Sequence, residues 1–566
     1  MKSSQAIVLA AGLVMSLIGI VWCVPCPIVD DAFYKSPAAE WIQNGQFAIP
    51  AAKGFLPQVD ITFACYPPVF QMVLAGWYAL FGFSLRSSLG FVYSIHVVNA
   101  LLIARVAGNL GLRFFEGESW PVGRRDVSGV AANRELRTRL PDADAVRGAW
   151  WFATTAGLIQ LCNLALFDRL EELAICFLWT GWLLTPHEKR HSWLGRILVM
   201  GLCLGAAALT VPWVGFLGAT LVVFRETFGL ADRYRFDPSH WQTGVRYAVR
   251  HVVGIGAVSL AMVLIWLHVT ETFFPGAIDD QFLGTLRHLR ATQLRGTLTE
   301  QGRRLLDSLL YSPGQLPATA LTWCGLIAIV CRGRSAWRAI PFEALAIGAT
   351  SVVGLVLLCF TRPEAYTYLN AIQMLLLPCL GVAVAAFATD VDHANTGERD
   401  ANLEGVRHRF RQRGFMRSLI VSGALGVCVL AAIRDPGTVA WHYSTLSPRE
   451  TAGEVASRLR GWIPATDRVA VTARHWHAFQ GRNDWREAFF SSRIEAGEVL
   501  ACEWLVLPKD CGRPDFLGGF ELVEQIETDV PSHHTYAYDL YRRRQSTPIS
   551  VESDSTDAEP SHRDSR

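Results

Sequence analysis

Lysine is scarce in this chain: of 52 basic residues, 47 are arginine and only five lysine. That bias by itself points to no function. Charge of either sign is also scarce, at 18% where a soluble domain carries about 25%. So little charge beside 51% hydrophobic residues excludes intrinsic disorder and a coiled coil. Thirteen cysteines in 566 residues are too few for a disulfide-built mini-protein. A net charge of +2 gives no electrostatic footprint for nucleic acid. No internal repeat supports an inverted-repeat transporter. Metal-binding patterns are also lacking. Cys23 and Cys26 stand as a single C-x-x-C with no second pair, and His475-Trp476-His477 reads as a surface or strand pair. What is present is apolar sequence, with a mean hydropathy of +0.24. The fold class expected is a polytopic α-helical membrane protein carrying a small soluble part.

Crossing ~30 Å of hydrocarbon takes about 20 mostly apolar residues. Such stretches lie near 7–24, 88–108, 148–167, 172–186, 193–210, 211–224, 250–268, 316–332, 340–360, 367–388 and 417–433, about eleven in all. Positive charge sets their orientation. Segment 109–147 holds seven arginines, 225–250 five and 389–417 six, whereas loop 25–66 holds only Lys35 and Lys53. The basic segments and the N-terminus are therefore expected in the cytoplasm of a cell (inner or plasma) membrane, with loop 25–66 outside. Loop 269–315, assigned outside, breaks the rule with Arg287, Arg290, Arg295, Arg303 and Arg304. Either it docks on anionic lipid or phosphate, or the span count slips there. The expected division is 1–433 for the membrane domain, 434–545 for an extracytoplasmic α/β domain, and 546–566 for a disordered tail. Within 434–545 a helix is expected over Ser447–Trp462, with strands at Arg468–Thr472, Trp504–Pro508 and Ala537–Tyr541. Cys502 and Cys511 both lie in the expected outer domain, where they could pair.

The first outer loop carries the densest chemistry. Asp30 and Asp31 lie just beyond the first apolar run and open a short amphipathic segment, about 32–43, that contains Tyr34 and leads to Gly45. Two adjacent carboxylates at a membrane face favour a proton-transfer role, although Asp is also a good helix cap. Tyr66-Pro67-Pro68 then opens an apolar run ending at Phe81-Gly82, too short for a span and suited to lying in the interface. A second cluster, Asp168-Arg169-Leu170-Glu171-Glu172, sits between two spans on the same expected side. Four charges beside hydrocarbon must pair or face a wet cavity. Arg362 and Glu364 stand at a third outer boundary, just before Tyr368-Leu369.

Taken in order, these motifs resemble the GT-C superfamily of membrane glycosyltransferases. The similar branch is that of the dolichyl-phosphate-mannose protein mannosyltransferases and the lipid A aminoarabinose transferases. The resemblance rests on Asp30-Asp31 with Tyr34 and Gly45, on Pro67-Pro68 with Phe81-Gly82, on Asp168-Arg169 with Glu171 or Glu172, on Ala208-Leu209-Thr210-Val211-Pro212, and on Tyr368-Leu369. It covers roughly residues 1–390. Two positions depart: Asp31 stands where the family usually has Glu, and Tyr66 where some members carry Lys before Pro-Pro. The resemblance implies a polyprenyl-phosphate-linked sugar donor, a hydroxyl acceptor on a lipid, glycan or protein, and inverting transfer outside the cytoplasm. It implies no cofactor and no metal. Asp30 is the expected general base, with Asp31 second. Arg169, Arg362 and Tyr66 are the expected donor-phosphate contacts, and Tyr34, Glu171 and Glu172 shape the site. The alternatives are a membrane transporter and a non-catalytic scaffold or sensor. A transporter calls for ionisable residues in mid-span, whereas here they cluster at outer boundaries.

Overall fold

The computed structural model describes residues 2–23, 29–53, 57–118, 143–163, 170–185, 193–234, 241–284, 287, 303, 316–331, 340–361, 366–385, 421–434, 452–479, 487–490, 502–507, 517, 519–526 and 538–544. Each of the eleven apolar stretches overlaps a helix. These are α1 (Lys2–Trp22), α4 (Leu85–Glu118), α5 (Ala143–Leu161), α6 (Leu170–Leu184), α7 (Trp193–Ala208), α8 (Pro212–Tyr234), α9 (Trp241–Phe273), α10 (Leu316–Cys331), α11 (Phe342–Thr361), α12 (Tyr366–Leu376) and α13 (Val421–Arg434). Two more helices, α2 (Val29–Asn44) and α3 (Val69–Phe81), lie between α1 and α4. Among the described residues, four helices, α1, α4, α8 and α9, are long and apolar enough to cross a membrane. Large apolar side chains stand exposed along α1 and α9, among them Leu17 at 66% and Ile265 at 63%. A continuous apolar face of that kind fits a lipid surround. Several helices outlast their apolar windows. Arg113 falls inside α4 and Arg225 inside α8, not in the loops where the charge pattern alone places them.

Close packing of α1, α4 and α5 depends on small residues. A Cβ on Gly19 would fall 1.9 Å from the Tyr93 hydroxyl, and one on Gly157 would fall 2.6 Å from Val8. The two short helices stop where the motif glycines stand. Gly45 (φ 72°) and Gly82 (φ 74°) adopt the left-handed backbone that ends α2 and α3, a conformation open to glycine without a Cβ penalty. Pro212 occupies the first turn of α8, where its missing N–H costs nothing.

The C-terminal residues form helix α14 (Ala452–Trp462) and a five-stranded mixed sheet: β1 (Arg468–Val471), β2 (Glu487–Phe490), β3 (Trp504–Leu507), β4 (Phe520–Ile526) and β5 (Tyr538–Arg543), in the order β2-β1-β3-β5-β4. β2, β1 and β3 run parallel, while β5 and β4 are antiparallel to their neighbours. Alternation sends Val469, Val471, Trp504, Val506 and Leu540 to one face, and Ala470, Leu505 and Leu507 to the other. The first face shares a single apolar core with Ala32, Ile49, Ala52, Val59, Phe63 and Cys65 of the segment after α1. The sheet therefore sits on the α2 end of the bundle. His475 corrects the expectation of a surface or strand pair. It lies in a 3₁₀ turn (Ala473–Ala478), is buried, bonds through Nδ1 with Thr472 Oγ1 at 2.7 Å, and meets the ring of Tyr538 edge-on. His477's side chain and Cys511 lie outside the described residues.

Candidate active site at the α2 end

Helix α2 places its carboxylates through its first turn. Asp30 opens the helix; its side chain is outside the description. Asp31 is fully buried and accepts from Lys35 Nζ at 2.6 Å, an i,i+4 ion pair in which both partners are 0% exposed. Burying such a pair is tolerable only because each ion compensates the other. Asp31's negative charge is also felt at the Tyr78 hydroxyl on α3, which shares a 2.7 Å hydrogen bond with Ser88 of α4. Next to Lys35 in sequence, Tyr34 meets Tyr66 edge-on at 4.9 Å, and Tyr66 stacks on Phe63 at 6.4 Å. The structure thus brings Asp31, Tyr34 and Tyr66 to one place.

Motifs far apart in sequence meet here. The amide of Val69, directly after Pro67-Pro68, donates to the carbonyl of Leu209 at 3.1 Å. The segment before α3 is held from the other side by Gln281, which is fully buried. Its Oε1 accepts from the Ala64 amide at 2.7 Å and its Nε2 donates to the carbonyls of Pro57 (2.9 Å) and Thr62 (3.0 Å). Cys65 lies in this clamped turn, and burial pushes its thiol up to about 12.

Glu172 belongs to a second, deeper constellation. Its carboxylate lies 2.9 Å and 3.2 Å from His96 Nδ1 and accepts from Gln160 Nε2 at 3.0 Å. His96 Nε2 lies 3.0 Å from the carbonyl of Leu161. A carbonyl only accepts, so Nε2 carries a hydrogen. The contact between Nδ1 and the carboxylate then needs a second proton, on the ring or on the acid. The buried dyad therefore holds a proton wherever that proton sits. His96 escaped the sequence reading although the signal was present, since an ionisable residue inside an apolar span marks function by default. Gln160 also borders a small cleft whose other polar lining is Asn163, Thr319, Thr322 and Gln373. Asn163 donates to Asn370, two residues after Tyr368. That lining offers amides and hydroxyls and no charge.

Glu171, partly buried, begins α6 beside Glu172. Arg169 and Arg362 lie outside the described residues, as do Asp168 and Glu364. Of the arginines in the basic loop 269–315, Arg287 and Arg303 are described and exposed, and Arg287 pairs with Asp279 at 2.7 Å.

The sequence matches no protein-family description and no curated protein at a significant level. Solved structures do match. The crystal structure of ArnT from Cupriavidus metallidurans bound to undecaprenyl phosphate aligns over 96% of this chain and 98% of its own, at TM-score 0.52 and 13% identity. The oligosaccharyltransferase AglB from Archaeoglobus fulgidus, in complex with an inhibitory peptide and a dolichol-phosphate, aligns over 88% of this chain and 69% of its own at TM-score 0.41 and 12% identity, and its apo form gives the same figures. The fold assignment rests on the first, whose alignment runs almost end to end. The protein thus shares its fold with that ArnT structure.

Proposed function

We propose that this protein is an integral membrane glycosyltransferase. It moves a sugar from a polyprenyl-phosphate donor to a hydroxyl acceptor, with inversion, on the side of the membrane where α2 lies. The observation that carries this reading is the assembly of Asp31, Tyr34 and Tyr66 at one end of a bundle that has the fold of a structure bound to undecaprenyl phosphate. In the reaction, the bond from the anomeric carbon to the phosphate oxygen breaks as the acceptor oxygen bonds to that carbon from the opposite face. The acceptor's proton passes to a carboxylate, and the lipid phosphate leaves with the electron pair.

Asp31 is committed to Lys35, so Asp30 is the base and Asp31 with Lys35 fixes the turn that presents it. A positioned carboxylate contributes ~10²–10⁴-fold. Arg169 and Arg362 hold the departing phosphate with their planar forks, and Tyr66 stands where some members of the superfamily carry Lys. The α2 end and the sheet face the extracytoplasmic side of the cell membrane. The membrane domain is 1–433 and the sheet domain 434–545, which binds the acceptor.

The test is transfer of radiolabelled sugar from polyprenyl phosphate in membranes. Asp30→Asn lowers turnover by ~10²-fold or more with folding intact. Unchanged transfer rejects Asp30 as the base, and absence of transfer by the unaltered protein with every donor rejects the enzyme reading.

A further inference from the structure

The opposite end of the bundle carries a second group of buried charges that the transfer reaction does not use. The turn between α7 and α8 touches Val69 at the α2 end. Arg196 lies 13 residues before Leu209 and Arg225 lies 13 residues after Pro212, which at 1.5 Å per residue puts both ~20 Å along their helices. Both are 5% exposed; Glu226 and His251 beside them are 4% exposed.

Their contacts leave positive charge in surplus. Arg225 donates through Nη2 to the Thr185 carbonyl at 2.7 Å and through Nη1 to Thr185 Oγ1 at 3.4 Å, and its guanidinium lies 4.2 Å over the Trp182 ring. Its Nε–H has no acceptor. Arg196 donates Nη1 to the Tyr247 hydroxyl at 3.4 Å, while its Nε and Nη2 have none; Nη2 stops 3.8 Å from Glu226 Oε1. His251 Nδ1 lies 3.0 Å from that same oxygen, off the line a hydrogen bond needs, and its Nε2 is also without a partner. Among the described residues, two guanidiniums thus share one nearby carboxylate. The neighbouring Arg113–Glu343 pair is balanced within itself and adds no negative charge.

Buried charge without compensation is costly, and three unsatisfied donors beside a surplus cation describe the complement of an oxyanion. Trp193 and Trp241, 47% and 43% exposed, start α7 and α9 near this group, as aromatics do at a membrane–water boundary. We propose that Arg196, Arg225 and His251 form a phosphate-binding site at this end, distinct from the candidate active site. Arginine forks match phosphate oxygens in pairs. The phosphate belongs to an anionic lipid headgroup or to a soluble phosphate, and the two are separable by experiment. The proposal needs nothing of the transfer reaction.

The full chain, purified in lipid-free detergent, is titrated with sodium phosphate against sodium chloride at equal ionic strength, and separately with micelles doped with phosphatidylglycerol or phosphatidylcholine. The thermal midpoint and lipid retention in native mass spectra are read. The unaltered protein is expected to gain stability with phosphate or with phosphatidylglycerol. A response to the lipid alone assigns a headgroup, and a response to inorganic phosphate alone assigns a soluble ligand. Arg196→Lys, which keeps the charge and loses the fork, weakens half-saturation about tenfold, and the double variant Arg196→Gln/Arg225→Gln abolishes the response. No response of the unaltered protein to either probe, or an Arg196→Lys response equal to it, overturns the proposal.

Discussion

The two ends of the helical bundle treat buried charge in opposite ways. At the α2 end each described buried ion has a partner at hydrogen-bonding distance: Asp31 with Lys35, and deeper down Glu172 with His96 and Gln160. Among the described residues of the Arg225 end, two arginines face one carboxylate, and three guanidinium nitrogens stand without acceptors. A paired end is a finished structure whose polar groups fix geometry. A surplus end is complete only with something bound. The difference separates charge used to hold a site in shape from charge used to attract a ligand.

The sharpest way to break the comparison is to remove one partner at each end. Lys35→Met leaves Asp31 buried without its cation, and one-sided removal of a buried pair costs about 3–5 kcal/mol. The double change Asp31→Leu/Lys35→Met recovers most of that loss, because no ion remains to desolvate. Arg196→Gln, made in anion-free detergent, relieves repulsion and costs less than half as much as Lys35→Met. Denaturant unfolding in one detergent compares all three. Equal costs at the two ends would erase the distinction. A smaller effect belongs to the shared helix packing. Gly157→Val drives a side chain into Val8 and Ala104 and destabilises by about 1–3 kcal/mol. Both ends then lose stability together, read as one lowered midpoint. Smaller again is the coupling of the proton-holding dyad. A double-mutant cycle of His96→Gln and Glu172→Gln gives about 0.5–3 kcal/mol, and a value near zero would mean that the proton is not shared.

Much of the α2 end was legible in sequence because its signals are local. Pro67-Pro68 starts α3, and Gly45 and Gly82 end two helices by backbone conformation alone. Lys35 stands four residues after Asp31, the spacing of a helical ion pair, yet as a loop charge it reads only as part of the topology. The bond from Val69 to Leu209 is between backbones 140 positions apart, and side-chain pattern carries no trace of it. Arg225 was hidden for another reason. A hydropathy window ends where charge begins, whereas α8 continues three turns farther and carries the charge inward. In the sheet, β1, β3 and β5 are read from apolar runs, while β2 and β4 are edge strands whose Glu487, Glu521 and Glu524 break the alternation. Arg169 and Arg362 remain at the level of sequence, outside the described residues.

The smallest expected effect tests whether the α2 end is one body with the sheet. Cys65 lies in the core shared by the two, and Cys502 lies on the far face of the sheet. Burial lifts both thiols from 9.0, to about 12 for Cys65 and to about 11 for Cys502. A thiol that holds its proton more tightly when folded adds stability in full below pH 9. That contribution is lost as pH rises from 9 toward 11 and 12, where the unfolded chain ionises first. At pH 8 neither folded thiol offers appreciable thiolate to an alkylating reagent. Labelling of each cysteine therefore reports the opening of its own surroundings. With a single core joining segment 29–66 to the sheet, Cys65 and Cys502 become reactive at the same denaturant concentration. Two separate midpoints, with Cys502 first, would mean that the sheet opens alone and that the paired end of the molecule is two structures resting on each other.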